Sequence, residues 1–355
     1  MSATLMEEIQ TGQTEKAETP ADVAFIQMAT GLWVSKAIYV AARLGVADLL
    51  ADGPKTVEQL AAETGAHAPT LRRLLRALAG AGVFREDAEG RYELTQFAEF
   101  LRTDVPGSQR GFALHVGESP SWQAWDGLLE SVRTGESAFK RVHGMEVFPY
   151  YATHPESNEP FNSAMVELSN VVAAAVTEAY DFSRFRRIAD VGGGRGGLLA
   201  AILKAAPAAR GVVCDQPEVV AGARATMEAA GIAERCEYAG IDFFEGVPEG
   251  ADAHVLKWII HDWDDERALT LLRNCHRSLA DGGRLLLVEA VVPEGGEPSF
   301  SKWMDLQMLV MTGGRERTAA EYRALLAEAG FEMTNVIPTK SPVSIVEAVK
   351  AGERS

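Results

Sequence analysis

Apolar residues recur with a helical period in the first part of the chain and form short strand-like runs in the second. Over residues 21–50 apolar side chains occur on almost every side of the helical pattern, which predicts helix that is buried on several sides. In a small domain such burial predicts packing against a second copy of the chain, and therefore a homodimer. Residues 1–20 are polar and aperiodic, and we expect them to form a mobile tail.

Residues 21–112 carry the pattern of a winged-helix domain. Thr56 and Gln59 have the spacing of a capping box, and the helix that they open is predicted to end at Gly65. A leucine-rich helix follows, and two apolar runs around residues 87–90 predict a hairpin. Such a domain either binds DNA or is a structural unit. The formal net charge of -16 opposes contact with nucleic acid and with anionic membranes, so we expect the structural role.

Residues 113–355 are predicted to form a second domain, because a chain of 355 residues exceeds what one compact core usually holds. Its first part, residues 113–180, is helical in pattern and rich in aromatic residues and methionine, with Trp122 and Met165 as examples. This composition predicts a cap over an apolar substrate. The three cysteines lack metal or redox spacing, and no signal peptide or membrane-spanning run is present, so we expect a reducing cytoplasm.

The most informative stretch is residues 188–197. A short apolar run ends near Asp190, a glycine-rich turn and a helical pattern follow, and a second apolar run ends in Asp215. A strand, glycine loop, helix, strand and acid in this order are half of a doubly wound α/β domain that binds a nucleoside. The glycines let the backbone approach the ligand, and Asp215 is placed to accept hydrogen bonds from ribose hydroxyls.

Two cofactors are compatible with this loop. Its glycines, beginning with Gly192 and Gly194, match the dinucleotide pattern of nicotinamide enzymes. Asp190, immediately before the loop, would instead repel a pyrophosphate and attract a sulfonium or amino group. The pair Asp242 and Phe243 offers an acid for the adenine amino group and a ring to pack on the base. The structural alternative for Asp242 is a carboxylate that caps a turn.

A candidate base follows the next strand. Residues 253–260 are predicted as a strand, and His261 at its carboxyl end would face the crevice where such sheets bind ligands. Neutral imidazole accepts a proton near neutral pH. Glu289 ends the neighbouring predicted strand and Glu316 lies in a later loop, so both carboxylates are expected to reach the ring and make it a stronger base. A helix cap is the structural alternative for His261, and no metal-ligand spacing is present.

With these motifs in order, the chain closely resembles the class I S-adenosylmethionine-dependent O-methyltransferases of the hydroxyindole, caffeate and polyketide-tailoring type. The resemblance covers nearly the whole chain after the tail. Besides the winged-helix domain, its motifs are residues 161–165, 190–197, 215–217, 242–244, 257–266 and 313–318. It implies a Rossmann-like, doubly wound α/β domain behind an N-terminal all-α winged-helix dimerisation domain.

The resemblance also implies S-adenosylmethionine as the cofactor and a role for each motif residue. The residues expected to bind the cofactor are Ser169, Asp190, Gly192, Gly194, Asp215, Gln216, Asp242, Phe243 and Lys257. The residues expected to line the acceptor pocket are Trp122, Met165, Asp305, Met308 and Met311. His261 is the implied general base, with Asp262 beside it and with Glu289 and Glu316 orienting the ring.

The sequence therefore predicts metal-independent methyl transfer to an aromatic hydroxyl of a small molecule, a secondary metabolite. Three alternatives stay open. The first is N-methyl transfer, for which a base is optional, and the second is a relative that binds S-adenosylmethionine but acts as a hydroxylase or pericyclase. A histidine flanked by two acids favours methyl transfer over the second. The third is a DNA-binding regulator, which the acidic charge disfavours.

Overall fold

Residues 20–352 are described in the computed structural model, so the predicted tail lies almost entirely outside the described residues. The α-helices are Ala21–Ala29, Gly31–Leu44, Val46–Leu49, Val57–Thr64, Ala68–Gly80, Gln96–Glu99, Arg110–Gly117, Ser119–Asp126, Leu128–Thr134, Ala138–His143, Val147–Thr153, Pro155–Ala179, Gly197–Ala205, Pro217–Val220, Ala223–Ala229, Asp265–Ser278, Phe300–Met311 and Ala319–Glu328. The strands are β1 (Lys55–Thr56), β2 (Phe84–Glu86), β3 (Arg91–Leu94), β4 (Arg187–Val191), β5 (Arg210–Asp215), β6 (Cys236–Gly240), β7 (Ala251–Lys257), β8 (Leu279–Glu289), β9 (Val291–Val292), β10 (Arg317–Thr318), β11 (Phe331–Pro338) and β12 (Ser344–Lys350).

A seven-stranded sheet forms the centre of the second domain, in the order β11-β12-β8-β7-β4-β5-β6. Strands β4 to β8 pair in parallel, and β12 runs antiparallel to β8 and β11. Two hydrophobic clusters cover opposite faces of this sheet. The order reverses between β4 and β7, so the loops after these two strands open the crevice where doubly wound sheets bind ligands. The predicted fold class is confirmed.

The N-terminal domain has the predicted winged-helix elements. Thr56 and Gln59 form the capping box of the helix Val57–Thr64, and Gly65 ends this helix with φ 71°. The hairpin consists of β2 and β3, and β1 adds a third strand that the apolar pattern did not predict. The predicted domain boundary at residue 112 lies within the helix Arg110–Gly117 and stays a prediction.

Residues 21–50 are helical but do not form one continuous helix, and their predicted burial against a second copy of the chain stays a prediction. The helix is interrupted at Thr30 and again at Gly45, which takes the left-handed conformation that glycine favours. Met28 is 77% exposed and Trp33 is 67% exposed. Burial of these apolar side chains therefore requires a packing surface from another molecule. No single described helix is long and apolar enough to cross a membrane. The helices Ala21–Ala29 and Gly31–Leu44, which meet at a bend of 46°, have together the length and the apolar composition of a membrane span.

The strand predicted over residues 253–260 is shorter than expected. β7 ends at Lys257, and Trp258 has φ 55°, the only positive φ of a non-glycine residue within the described chain. A bulky residue in the left-handed region cannot continue a strand. The N–H groups of Ile259 and Ile260 donate to a Glu289 carboxylate oxygen instead of to a neighbouring strand. The chain after β7 therefore turns toward the end of β8.

His254 lies in the middle of β7 and is a buried polar group. Neither of its ring nitrogens has a hydrogen-bond partner among the described residues. Its register partners Ala189 and Leu285 belong to the hydrophobic cluster on that face of the sheet. Burial lowers the pKa of His254 to about 4, so the ring is neutral in the folded protein. A buried polar group without a partner destabilises the fold, because its hydrogen bonds to water are lost.

We expect His254→Leu to raise the free energy of unfolding and to make it less sensitive to acid. The unfolded chain protonates this histidine below about pH 6.5, whereas the folded chain resists protonation down to about pH 4. Stability is therefore lost as the pH falls through this window, by about 2 kcal/mol between roughly pH 7.5 and 5. Urea unfolding of both proteins at these two pH values and one protein concentration measures the difference. An identical pH dependence in the variant would contradict the prediction.

Candidate active site

The glycine loop leaves β4 at the crevice and turns back over β5. The N–H groups of Gly192 and Gly193 donate to the Cys214 carbonyl at 2.8 and 3.1 Å. A Cβ at Gly193 would lie 2.7 Å from the Asp190 carboxyl carbon, so a side chain does not fit there. A Cβ at Gly194 would have nothing within 4 Å. The loop is therefore pressed onto Asp190 on one side and is open to a ligand on the other.

Asp190 lies beneath this loop with an unpaired oxygen. The residue is 1% exposed, and its Oδ2 has no hydrogen-bond partner among the described residues. Burial raises the pKa of Asp190 to about 7, and the positive charge of Lys257 opposes that rise. A buried carboxylate oxygen without a donor is unfavourable unless a ligand supplies one. An ammonium group supplies both a donor and a positive charge, so this loop fits S-adenosylmethionine better than a pyrophosphate.

The two other acids predicted to bind the cofactor each hold a turn. Asp215 accepts the N–H groups of Gly194 and Gln216, each at 2.8 Å, which ties the glycine loop to the end of β5. Asp242 is exposed, and one of its oxygens accepts the N–H two residues along the chain at 2.8 Å. The turn-capping contact is thus present, and it uses one of the two carboxylate oxygens. Phe243 beside it is half-buried.

Lys257 connects the sheet to the helix Pro155–Ala179, named here the cap helix. Its Nζ donates to the Ser169 Oγ at 2.9 Å and lies 4.2 Å from the centre of the Trp258 ring. Burial lowers the pKa of Lys257 to about 8, although the negative charge of Asp190 acts in the opposite direction. The structure therefore joins Lys257 and Ser169 by a hydrogen bond, and Lys257 and Asp190 influence each other through their charges.

His261 lies among three carboxylates on the 3₁₀ turn Ile260–Asp262. Its Nδ1 is 2.8 Å from Glu316 Oε1 and 3.8 Å from Glu289 Oε2, and its Nε2 is 3.8 Å from Asp262 Oδ1. His261 is 6% exposed, Glu316 is 3% exposed and Glu289 is fully buried. A hydrogen bond donated by Nδ1 to the Glu316 Oε1 leaves Nε2 as the ring nitrogen available to a ligand.

The carboxylates decide the protonation of this cluster. Burial by itself would lower the pKa of His261, but Glu289, Asp262 and Glu316 together raise it to about 10. Burial also raises the pKa of the Glu289 carboxyl, and it raises that of Asp262 to about 6, although the nearby imidazolium acts against both. The Oε2 atoms of Glu289 and Glu316 have no hydrogen-bond partner among the described residues. The three carboxylates therefore favour the protonated form of the His261 ring.

The same cluster has the geometry of a possible cation site. His261, Glu289 and Glu316 each offer a ligand atom, and these atoms all lie within 4.8 Å of one another. The sequence showed no metal-ligand spacing, because these residues come from three separate segments of the chain. Spacing along the chain is therefore not a test for a cation site of this kind.

A buried arginine that the sequence analysis did not single out holds the turn of His261. Arg317 is 1% exposed, and it donates to the carbonyls of Ile260 at 3.1 Å and Trp263 at 3.0 Å. It also pairs with Asp265 at 2.7 Å. In the sequence, Arg317 is marked only by its position next to the predicted Glu316. The residues around an arginine in the sequence do not indicate that its side chain is buried. These contacts fasten the loop that carries Glu316 onto the turn.

The predicted methionines lie around an aromatic cluster of the cap. Met311 is 3% exposed and packs with Val310 and Tyr151 in this cluster, against which Phe161 also packs. Met308, one turn earlier in the same helix, is 8% exposed, and Met165 on the cap helix is half-buried. Met308 and Met311 are therefore buried apolar side chains of the helix that leads into the loop of Glu316.

Two predicted acceptor residues have other surroundings. The Trp122 ring lies 5.2 Å from the Nζ of Lys36 in the N-terminal domain, and its Nε1 has no hydrogen-bond partner among the described residues. Asp305 accepts the Glu316 N–H at 2.9 Å, so its carboxylate supports the loop that reaches the His261 ring. The structure thus places Trp122 at the junction of the two domains and Asp305 behind the candidate base.

Two family models match the chain, and together they span most of it. Residues 26–104 match an O-methyltransferase dimerisation domain, and residues 125–332 match an O-methyltransferase domain. The order of the two domains agrees with the fold described above.

Several methyltransferases are similar over almost their whole length. The chain is 48% identical over 329 residues to the phenazine O-methyltransferase of Lysobacter antibioticus, which covers 93% of this chain and 96% of the relative. It is 39% identical over 338 residues to the 8-amino-8-demethylriboflavin N,N-dimethyltransferase of Streptomyces davaonensis, covering 94% and 97%. The crystal structure of an O-methyltransferase from neocarzinostatin biosynthesis, in complex with S-adenosylmethionine and 2-hydroxy-5-methyl naphthoic acid, matches with a TM-score of 0.76 and 35% identity over 89% of this chain and 95% of that one.

Two of these relatives are O-methyltransferases and the third is an N,N-dimethyltransferase, so the similarity does not identify the accepting atom. The solved relative is in complex with both S-adenosylmethionine and an aromatic acid. The chain belongs to the S-adenosylmethionine-dependent O-methyltransferase family, whose members carry an N-terminal dimerisation domain and methylate aromatic secondary metabolites.

Proposed function

We propose that the protein methylates an aromatic hydroxyl group of a small-molecule secondary metabolite, with His261 as the general base. The observation that carries this proposal is the position of the imidazole. Its Nδ1 donates to Glu316 at 2.8 Å, which fixes the ring and leaves Nε2 as the proton acceptor. An aromatic hydroxyl loses its proton near pH 10 in water, so a positioned base is needed at neutral pH.

The cofactor side of the proposal rests on the loop after β4. Asp190, with its unpaired oxygen, would hold the amino group of S-adenosylmethionine, and Asp215 would accept the ribose hydroxyls. Asp242 and Phe243 would take the adenine, and Lys257 with Ser169 would close the side that faces the cap. When bound, S-adenosylmethionine supplies an activated methyl group on a positively charged sulfur. The residues of the loop supply position, which accounts for a large part of the rate enhancement in reactions of two bound molecules.

On the acceptor side, His261 takes the hydroxyl proton at Nε2 while the acceptor oxygen is methylated. The charge that forms on the ring is stabilised by Glu316 at 2.8 Å and by Glu289 at 3.8 Å. Because these carboxylates raise the pKa of His261 to about 10, the ring must first release a proton in the free protein. A cationic cofactor bound nearby favours that release, because like charges repel.

N-methyl transfer is the alternative that a specific finding supports, since one similar protein is an N,N-dimethyltransferase. An amine attacks through its lone pair and loses its proton afterwards, so it places less demand on a base. The buried histidine with three carboxylates within 4 Å is therefore better explained by a hydroxyl acceptor.

We also propose that the N-terminal helices cover one another in a homodimer. Phe25, Met28, Leu32 and Trp33 are more than half exposed in the single chain, although all four are large and apolar. Met28, Leu32 and Trp33 lie within residues 26–104, which match a dimerisation domain, and Phe25 immediately precedes that segment. A patch of this kind on a folded chain typically marks a protein interface.

The first experiment is calorimetric titration of the purified protein with S-adenosylmethionine, S-adenosylhomocysteine and NAD, followed by a screen for labelled methyl transfer. We expect both S-adenosyl compounds to bind and NAD not to bind. We then expect label to be transferred to phenolic acceptors but not to the matched anilines. Transfer to the anilines alone would replace the proposal with N-methylation, and transfer to neither class would contradict methyl transfer to aromatic acceptors.

A further inference from the structure

A buried histidine in the cap has a ring nitrogen without a partner. His115, in the helix Arg110–Gly117, is 7% exposed, and its Nδ1 has no hydrogen-bond partner among the described residues. Its ring lies edge-on to Phe161, with the ring centres 5.3 Å apart, and to Tyr151, with the ring centres 6.0 Å apart. Burial lowers the pKa of His115 to about 4, so the ring is neutral at neutral pH. A neutral ring nitrogen between apolar walls is unfavourable unless a ligand completes its hydrogen bond.

The cap helix connects His115 to the cofactor side of the site. Phe161, Met165 and Ser169 are four residues apart on this helix and therefore share one face. Phe161 contacts the His115 ring, and Ser169 accepts the hydrogen bond of Lys257. At the helical rise per residue, the eight residues between these two contacts span about 12 Å. His115 and Lys257 therefore contact the two ends of this helix face, which is called the wall below.

The neighbours of His115 also belong to the acceptor side of the candidate base. Tyr151 and Met311 are buried in one cluster, against which Phe161 packs. Met311 ends the helix that precedes the loop of Glu316, and that loop reaches the His261 ring. The apolar surroundings of His115 are thus continuous with the residues that lead to the base.

We propose that His115 determines acceptor specificity by donating a hydrogen bond from Nδ1 to a carbonyl oxygen of a fused polycyclic hydroxyarene. This inference rests on the proposed function, because it places the hydroxyl of the same acceptor at His261. The far end of this wall is the cofactor side, where the methyl group is transferred. An acceptor that reaches from there to His115 spans about 12 Å, which is longer than a single phenol ring and requires several fused rings. The rings of Phe161 and Tyr151 and the thioether of Met165 offer flat and adaptable apolar contacts to such a molecule.

The test compares two tricyclic probes that differ in their carbonyl groups, 2-hydroxyanthraquinone and 2-hydroxyanthracene. We expect the phenylalanine variant His115→Phe to lower kcat/KM for the quinone by about tenfold to a hundredfold, because a missing partner leaves a polar group unpaired. The value for 2-hydroxyanthracene should stay within about threefold. For each probe, kcat/KM of the variant is divided by kcat/KM of the wild type, and these two quotients are then compared. The different acidities of the two hydroxyls cancel, because each quotient refers to one probe.

Two amide variants keep the test decisive if the phenylalanine variant does not fold. The amide nitrogen of asparagine can occupy the place of Nδ1, so His115→Asn should retain the preference for the quinone, whereas His115→Gln extends too far and should lose it. An equal effect of each substitution on both probes, or no effect on either, would overturn the role of His115. If wild type binds S-adenosylmethionine but methylates neither probe, the acceptor class is wrong. If wild type does not bind S-adenosylmethionine, the proposed function itself fails, and that result precedes any comparison of variants.

Discussion

His261→Ala is expected to lower kcat by about 10²-fold to 10⁴-fold, the range typical of a lost general base, while the Kd for S-adenosylmethionine changes by less than about threefold. The reason for the first effect is the geometry of the ring, whose Nδ1 is held by Glu316 at 2.8 Å and whose Nε2 is the remaining acceptor. The reason for the second is that most of the residues predicted to hold the cofactor lie at or after the ends of β4, β5 and β6, whereas His261 follows β7. Single-turnover methyl transfer and calorimetry measure the two quantities separately.

The pH dependence gives the same prediction a second measurement. Three carboxylates raise the pKa of His261 to about 10, so the free protein holds this proton at neutral pH. Because only the neutral ring accepts a proton, kcat/KM of the wild type should rise with pH up to about that value. In the alanine variant this rise should disappear, apart from the part that follows the ionisation of the acceptor itself.

The matched control is His67→Ala, because His67 is an exposed histidine of the N-terminal domain. It should leave kcat, the Kd for S-adenosylmethionine and the pH profile unchanged. If His261→Ala weakened cofactor binding and turnover by the same factor, the histidine would have a structural role instead. Retention of turnover in the alanine variant with an aniline acceptor would identify N-methylation.

Asp215→Ala is expected to raise the Kd for S-adenosylmethionine by about a hundredfold or more. Two hydrogen bonds from ribose hydroxyls to a carboxylate contribute about 1.5 to 3 kcal/mol each, and about 1.4 kcal/mol is a factor of ten in affinity. The carboxylate also accepts the N–H groups of Gly194 and Gln216, each at 2.8 Å, so its removal loosens the glycine loop. Both effects act in the same direction, and calorimetry of the purified variant measures their sum.

Glu218→Ala is the control for this second prediction. Glu218 is an exposed acid three residues further on, and its charge acts on Asp215 without a hydrogen bond to the loop. Its removal should change the Kd by less than about threefold. Asp215→Asn separates the two contributions, because the amide can still accept one backbone N–H while it lacks the charge. An unchanged affinity in Asp215→Ala would show that the ribose is held elsewhere.

Much of the fold could be predicted because its signals are local. The sequence signals for the capping box at Thr56 and for the glycine loop after β4 lie in neighbouring residues, and both features occur as predicted. Predictions failed where a contact from another segment decides the conformation. The strand over residues 253–260 ends early because Glu289, about thirty residues away, takes the N–H groups that would extend it.

The sequence by itself determined the doubly wound fold, the glycine loop with its two acids and the identity of the candidate base, because periodicity and motif order are properties of neighbouring residues. Only the tertiary structure decided how these side chains act on one another. It left one oxygen of Asp190 unpaired, buried Arg317 behind the turn of His261 and placed three carboxylates within 4 Å of the imidazole. The physical reason is that burial and distance set the free energy of a charge, and both depend on segments far apart in the chain.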